Sequence, residues 1–419
     1  GAAVGLGSAS PKPPMNLNEL PPPTLVTDAR GLERVLADCA RATRIAVDTE
    51  ADSFFSFREK VCLVQVTVEE RDYLLDPLAG LDLRPFGAVL ADPAMTKIFH
   101  DGEFDILILK REYGFEFRNL FDTRIAEAAL GVEAPGLAAV LRARFGIELD
   151  KSMQRSDWSA RPLSERQVSY ARLDTRFLAA LMDAQGPELA ARERLMILEG
   201  ECARLERLAP SLSVFSADDY VKLKGARTLD PHGQRRLREL FAERQRLAQE
   251  LDLPLFKVLG NEQLVEIARV DPRTESDLAR VPTVSPKQAR RLWDAIAKAL
   301  DRAEDLGPIH QPPRPAPKDG EPQFDELEYE LHERLKLWRR TRAEQLGLDS
   351  ALVINRHVLA RLAQRKPVEE AALVATDGLL GWQVSLFGPE LLDVVRRGLR
   401  EIPAELADGA RRRGRGGRR

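Results

Sequence analysis

The chain has 419 residues, 44% hydrophobic and 31% charged, a composition that suits folded globular domains and leaves length for two or three of them. No run approaches about eighteen uninterrupted apolar residues, and no basic stretch leads into an apolar one near the N-terminus, so neither a membrane span nor a secretory signal is expected and a cytoplasmic protein is. The net charge of −3 excludes no partner, because local clusters decide phosphate binding, whereas three scattered cysteines and five dispersed histidines argue against a disulfide framework, a zinc site and a Ser-His-Asp triad.

In chain order, residues 1–23 read as a disordered leader rich in small residues and proline. Asp28 can then cap a helix running to about Ala42, and Arg44-Ile45-Ala46-Val47-Asp48 turns into an apolar run of strand type. Further strands fit Val61 to Thr67, Tyr73 to Asp76 and Lys97 to His100. Helical patterns fit Leu83 to Ala91, Phe104 to Tyr113, Thr123 to Leu130, Leu137 to Phe145 and Ser164 to Met182. Strands first, then alternation with helices, predict an α/β domain with a mixed sheet over 24–200. Beyond about Ala190 the chain reads as helical: a domain over 201–305, a Pro-rich linker over 306–323, a second domain over 324–402, and an Arg/Gly-rich tail over 403–419 that cannot pack a core and offers positive charge to a polyanion. A shift of 95 positions aligns Leu240, Arg244, Ala248, Val258 and Leu264 with Leu335, Arg339, Ala343, Val353 and Leu359, as an internal duplication would.

The chemistry begins at Asp48-Thr49-Glu50, where strand geometry puts two carboxylates on one face at the end of an apolar run. Aiming two acids the same way is costly unless something positive lies between them, and a divalent cation with oxygen ligands does that. In Ile98-Phe99-His100-Asp101-Gly102-Glu103-Phe104-Asp105, a strand enters a turn and then a helix, with Asp105 in the first helical turn. Tyr170 and Asp174, four residues apart, share one helix face, and an acid amid Leu173, Phe177 and Leu178 implies an ionic partner.

Asp48-x-Glu50, Phe104-Asp105 and Tyr170-x-x-x-Asp174 resemble the three motifs of the tyrosine branch of the DEDD exonuclease superfamily. The segment from Glu148 through Gln154-Arg155-Ser156-Asp157-Trp158, then Arg161-Pro162-Leu163 and Gln167-x-x-Tyr170-Ala171, resembles the ribonuclease D family more closely. Val221-Lys222-Leu223-Lys224-Gly225 with the helices after it resembles the first helicase-and-RNase-D C-terminal (HRDC) domain of that family, and the duplicated segment a second; the likeness covers about residues 24 to 400.

The resemblance implies a ribonuclease H-like mixed-sheet exonuclease domain followed by two small all-α helical bundles. It implies that Asp48, Glu50, Asp105 and Asp174 bind two Mg²⁺ or Mn²⁺ ions on either side of a scissile phosphate, one activating a water and the other stabilising the leaving 3′ oxygen. Tyr170, with an ordinary pKa of about 10, would position that water instead of deprotonating it. Glu50 would touch the terminal 3′-hydroxyl, Phe54, Phe55 and Phe57 are candidates either to stack on terminal bases or, for at least one of them, to pack in the core, and His100 is a candidate to approach the phosphate. Asp122 reads as a helix N-cap and Trp158 as a packing residue. Basic runs such as Arg235-Arg236-x-Arg238, Arg244-x-Arg246 and Arg339-Arg340-x-Arg342 are interleaved with glutamates, which reads as a solvated face with i,i+4 pairs. The expected activity is 3′→5′ hydrolysis of RNA to 5′-mononucleotides, on precursor tRNA or other structured RNA. No protein partner is legible. A DNA 3′→5′ exonuclease and an inactive nucleic-acid-binding module are the alternatives, separated by the 2′-hydroxyl contact and by the intact carboxylate set.

Overall fold

A computed structural model of the chain describes residues 20–133, 135–210, 214–313 and 324–401. They form two compact units: one of the described residues within 1–50, 61–210 and 323–419, the other of those within 51–60 and 211–322. The expected leader up to residue 19, the expected tail and the second half of the proline-rich linker lie outside the described residues.

The first unit is built on a six-stranded sheet. β1 (Thr24–Val26), α1 (Ala29–Cys39), β2 (Arg44–Ala51), β3 (Val61–Val68) and β4 (Arg71–Leu75) open it; α2 (Gly87–Ala91), β5 (Thr96–Phe99), α3 (Glu103–Tyr113), β6 (Leu120–Asp122), α4 (Thr123–Ala129) and α5 (Leu137–Phe145) complete it. The strand order is β1-β4-β3-β2-β5-β6, with β3 and β4 antiparallel and β1–β4, β2–β5 and β5–β6 parallel. The sheet is therefore mixed, as expected. All eight residues of β3 are buried, and Ile45, Ala46 and Val47 of β2 are buried consecutively, which is what central strands covered on both faces require.

Two expected elements change. The helix predicted over 164–182 is divided into α6 (Glu165–Arg176) and α7 (Leu178–Ala191) at Phe177, whose φ of −105° and ψ of 0° leave the helical region. The break lets α6 pack on β3 and β4 while α7 packs on α4 and β5. The helix predicted over 83–91 is a 3₁₀ turn, Arg84–Phe86, leading into the short α2. The three-residue strands β1 and β6 carry too little alternation to be read from sequence. Asp28 caps α1 by accepting from the Gly31 amide at 2.7 Å, as expected. After α7, α8 (Leu195–Arg207) ends the first stretch of this unit.

The second unit contains α9 (Pro231–Glu250), α10 (Leu255–Val258), α11 (Asn261–Val270), α12 (Glu275–Leu278) and α13 (Pro286–Leu306) around one apolar core. The first unit's C-terminal part repeats that order as α14 (Glu326–Leu346), α15 (Ser350–Val353), α16 (Arg356–Arg365), α17 (Glu370–Val374) and α18 (Gly381–Glu401). The repeat extends to single bonds. Arg244 donates to the Leu259 carbonyl at 3.1 Å and Arg339 to the Ile354 carbonyl at 3.0 Å, equivalent positions under the 95-residue shift. Arg244 is only 4% exposed, and burial pulls its pKa down to about 10. It is an internal brace, which corrects the expectation of a solvated face there; Arg246 does pair with Glu243 and Glu250. Within the first unit, α18 packs on α8 at Gly200, where a Cβ would come within 2.0 Å of the Trp382 ring. Among the described residues no helix is long and apolar enough to cross a membrane.

Candidate active site

Asp48, Thr49 and Glu50 stand at the end of β2, the central strand next to β5. Alternation turns Asp48 and Glu50 one way and Thr49 the other. Thr49 then binds a second acid: its amide donates to Asp105 Oδ1 at 3.0 Å, and its hydroxyl donates to the same oxygen. Asp105 is thereby tied to β2 from the first turn of α3, although 56 residues separate the two. Thr49 lies inside the acidic motif, yet sequence gave it no role.

The turn that starts α3 is held from β6. The Asp122 carboxylate accepts from the amides of Asp101 (3.1 Å), Gly102 (2.8 Å), Arg124 (2.8 Å) and Ile125 (3.1 Å). It caps α4 as expected and also clamps the preceding turn. Asp101 sits there at φ +65°, and a Cβ on Gly102 would meet Phe99 at 2.6 Å, so glycine is required at that point.

The helix α6 delivers Tyr170 and Asp174. Its N-terminus is fixed by a capping box between Ser164 and Gln167, and Gln167 also donates to the Asp157 carbonyl at 3.0 Å. Below it lies a buried network. Arg172 donates to Asp72 through Nε at 3.1 Å and Nη2 at 2.5 Å, Thr67 donates to Asp72 at 2.9 Å, and the Thr67 and Thr175 hydroxyls meet at 2.8 Å. The preceding loop is stapled by Arg161, which grips Asp76 with two bonds of 2.7 Å and donates to the carbonyls of Trp158 and Cys62 at 2.8 Å. Trp158 is 1% exposed and packs against Tyr170 with ring centroids 6.0 Å apart, the packing role expected of it. Asp72, Arg172 and Arg161 were missed as positioning residues; for Asp72 and Arg172 the sequence signal was charge at strand and helix positions that should be apolar.

One carboxylate oxygen from each of Asp48, Glu50 and Asp174 lies within 4.8 Å of the others. Asp105 faces the same group closely enough to raise the pKa values of Asp48 and Glu50. Burial is the first cause for all four acids: it holds Asp48 and Glu50 well above the usual carboxylate range, Asp105 at about 6 and Asp174 at about 7, and mutual repulsion adds to it for Asp48, Glu50 and Asp174. Bonds from Thr49 pull Asp105 back, and the bond from the Tyr170 hydroxyl does the same for Asp174. Burial and then the neighbouring carboxylates push the Tyr170 hydroxyl far upward, so it stays protonated. No salt bridge among the described residues neutralises any of the four acids. Converging, partly buried carboxylates without a cationic partner suit a hard divalent cation with oxygen ligands. A pocket of about 140 Å³ opens beside them, lined by Met153, Arg166, Tyr170, Leu173 and Asp174.

His100 hydrogen-bonds Thr123 through Nδ1 at 2.9 Å, and burial lowers its pKa, leaving a neutral imidazole. Phe54 and Phe55 belong to the second unit, where Phe54 meets Phe256 edge to face at 6.4 Å and the Lys257 ammonium lies 4.1 Å over the Phe55 ring. Cys39, Cys62 and Cys202 are buried free thiols.

A 3′-5′ exonuclease family model matches residues 23–190, and an HRDC domain model matches 233–300 and again 328–395. Ribonuclease D of Sphingobium indicum is 31% identical over 383 residues, covering 88% of this chain and 94% of the relative. The chain belongs to the ribonuclease D family. Ribonuclease D of Pseudomonas paraeruginosa is 30% identical over 355 residues, covering 84% and 92% of the two chains. Among solved structures, the catalytic core of RRP6 from Trypanosoma brucei superposes with a TM-score of 0.63 at 26% identity over 71% of this chain and 84% of that one. Escherichia coli RNase D, described as an exoribonuclease involved in structured RNA processing, does so with a TM-score of 0.61 at 25% identity over 91% and 99%. Ribonuclease D membership makes this protein a 3′–5′ exoribonuclease, with the mixed-sheet core and two helical HRDC domains that its sequence implied.

Proposed function

We propose that this enzyme trims RNA one nucleotide at a time from the 3′ end, with Asp48, Glu50, Asp105 and Asp174 holding two Mg²⁺ or Mn²⁺ ions, and that its substrates are precursor tRNA or other structured RNA met in the cytoplasm. The observation that carries the site assignment is the meeting of carboxylate oxygens from β2 and α6, with Asp105 tied to β2 through Thr49. Bound there, such ions supply positive charge to the scissile phosphate and acidify a water. In the hydrolysis, the water oxygen joins phosphorus and remains on the released 5′-monophosphate, while the preceding nucleotide leaves with its 3′ oxygen protonated.

The chain's own groups divide the remaining work. A protonated Tyr170 hydroxyl donates and accepts hydrogen bonds without removing a proton, so it orients the attacking water. Its link to Asp174 and its packing on Trp158 fix its direction. Glu50 is assigned the terminal 3′-hydroxyl, Phe54 and Phe55 the terminal bases, and His100 a neutral contact beside the phosphate. The structured-RNA part of the proposal is supported by the description of the Escherichia coli relative.

The test incubates 5′-labelled single-stranded RNA and matching DNA with the protein in Mg²⁺, Mn²⁺ or chelator, beside an Asp48→Asn control. A metal-dependent ladder from the RNA 3′ end, absent in the control, is the expected result. Preference for DNA would overturn the substrate assignment, and an active Asp48→Asn protein would remove Asp48 from the site.

A further inference from the structure

We propose that the first helical domain supplies a nucleobase-stacking platform for single-stranded RNA, with Phe256 as the stacking ring and Lys257 and Arg291 as its phosphate contacts. The inference rests on the exoribonuclease reading above for its substrate. Phe256 and Lys257 lie on α10, and no part of that reading assigns them a role.

The argument starts from exposure. Phe256 is 56% exposed and Phe54 45%, and they pack edge to face with centroids 6.4 Å apart, in a chain only 6% aromatic. Two large apolar rings held together at a surface leave water-facing π area that a folded domain does not need for its own core. That core is complete without them, since Val258 and Leu259 beside Phe256 are 0% and 2% exposed. Two basic side chains belong to the same neighbourhood. Lys257 is drawn 4.1 Å over the Phe55 ring, and Arg291 donates to the Lys257 carbonyl at 3.4 Å. Aromatic rings interleaved with basic side chains are the means by which proteins hold single strands without reading sequence.

The segment carrying Phe54 is fixed in place. Phe57 packs against the helical core and its amide donates to Asp252 at 3.1 Å. Asp52, fully buried, accepts from the Lys60 amide at 2.8 Å and from the Ser56 hydroxyl. A platform whose rings are already ordered loses little side-chain freedom on binding.

The experiment measures binding of a short labelled oligoadenylate, and of the same sugar-phosphate strand lacking its bases, by fluorescence anisotropy in a full-length Asp174→Asn background. Phe256→Ala is expected to weaken oligoadenylate binding about tenfold or more while leaving the abasic strand unchanged, with Phe256→Trp restoring affinity. Lys257→Ala is expected to weaken both strands and to flatten the salt dependence. Unchanged oligoadenylate affinity in Phe256→Ala, or equal losses on both strands, would overturn the platform. The wild-type ladder assay is separate: without a ladder the exoribonuclease reading fails, yet a base-dependent loss in Phe256→Ala would still stand.

Discussion

At the scale of single residues, the acidic cluster costs stability, a cost that the proposed cations would offset. Asp105 at about 6 and Asp174 at about 7 both lie above the ordinary 3.8, so the native state binds their protons more tightly than the unfolded chain does. The stability they contribute is present in acid and lost as pH rises through about 6 to 7. In chelator, thermal melts should therefore show stability falling across that window. Added Mg²⁺ should raise the Tm more near about pH 8 than near about pH 5, because below the window protons already quench the repulsion. Equal increments at both pH values would show that the carboxylates do not share an ion. Tyr170→Phe keeps the ring on Trp158 and removes only the hydroxyl; kcat should drop roughly a hundredfold with KM little changed, as loss of a water-orienting group requires. A parallel rise in KM would reassign the hydroxyl to substrate binding.

Among the elements, α6 matters most, since it sets the distance from Tyr170 and Asp174 to the strand acids. Its register rests on Arg172 and Asp72, whose side chains are 8% and 2% exposed. Arg172→Met leaves the buried Asp72 carboxylate with only the longer Arg176 contact of 3.7 Å, which should cost up to about 3–5 kcal/mol by denaturant unfolding. Replacing both partners, Arg172→Met with Asp72→Leu, should recover much of that stability; a double variant as unstable as the single one would show that packing, not the uncompensated charge, is decisive. This network also marks where the sequence stops being legible. Asp48, Glu50 and Asp174 stood out locally through strand period, helix period and charge, whereas Asp105 and Tyr170 joined them only through the resemblance to a known family. Asp72 and Arg172 are 100 residues apart, and nothing local to either position announces the other. The same holds for Thr49, whose partner lies on another element. The helix break at Phe177 is invisible for a related reason: its neighbours continue a helical pattern, and only the need to pack on two different parts of the sheet ends it.

At the scale of the whole molecule, each helical domain is locked by the same arginine-to-carbonyl brace, yet the two copies belong to different units. In the first unit the second copy meets α8 where Gly200 lets Trp382 approach. Gly200→Val should lower the Tm by several degrees, an overpacking cost of about 1–3 kcal/mol. Trp382→Ala in the same chain should relieve part of the clash, and strict additivity of the two would refute the contact.

The grouping of residues 51–60 with the first helical domain bears on how this protein can be dissected. The β2–β3 connection of the catalytic sheet lies in the other unit, so the polypeptide passes from one unit to the other and back before the sheet is half built. A fragment ending after α8 would keep every acidic side chain of the cluster but strip Phe57 of the apolar surroundings that cover it. Such a truncation trades a satisfied hairpin tip for a greasy one. Poor solubility of an isolated catalytic fragment would then report a missing cover, and co-expression with the excised helical domain is the natural remedy.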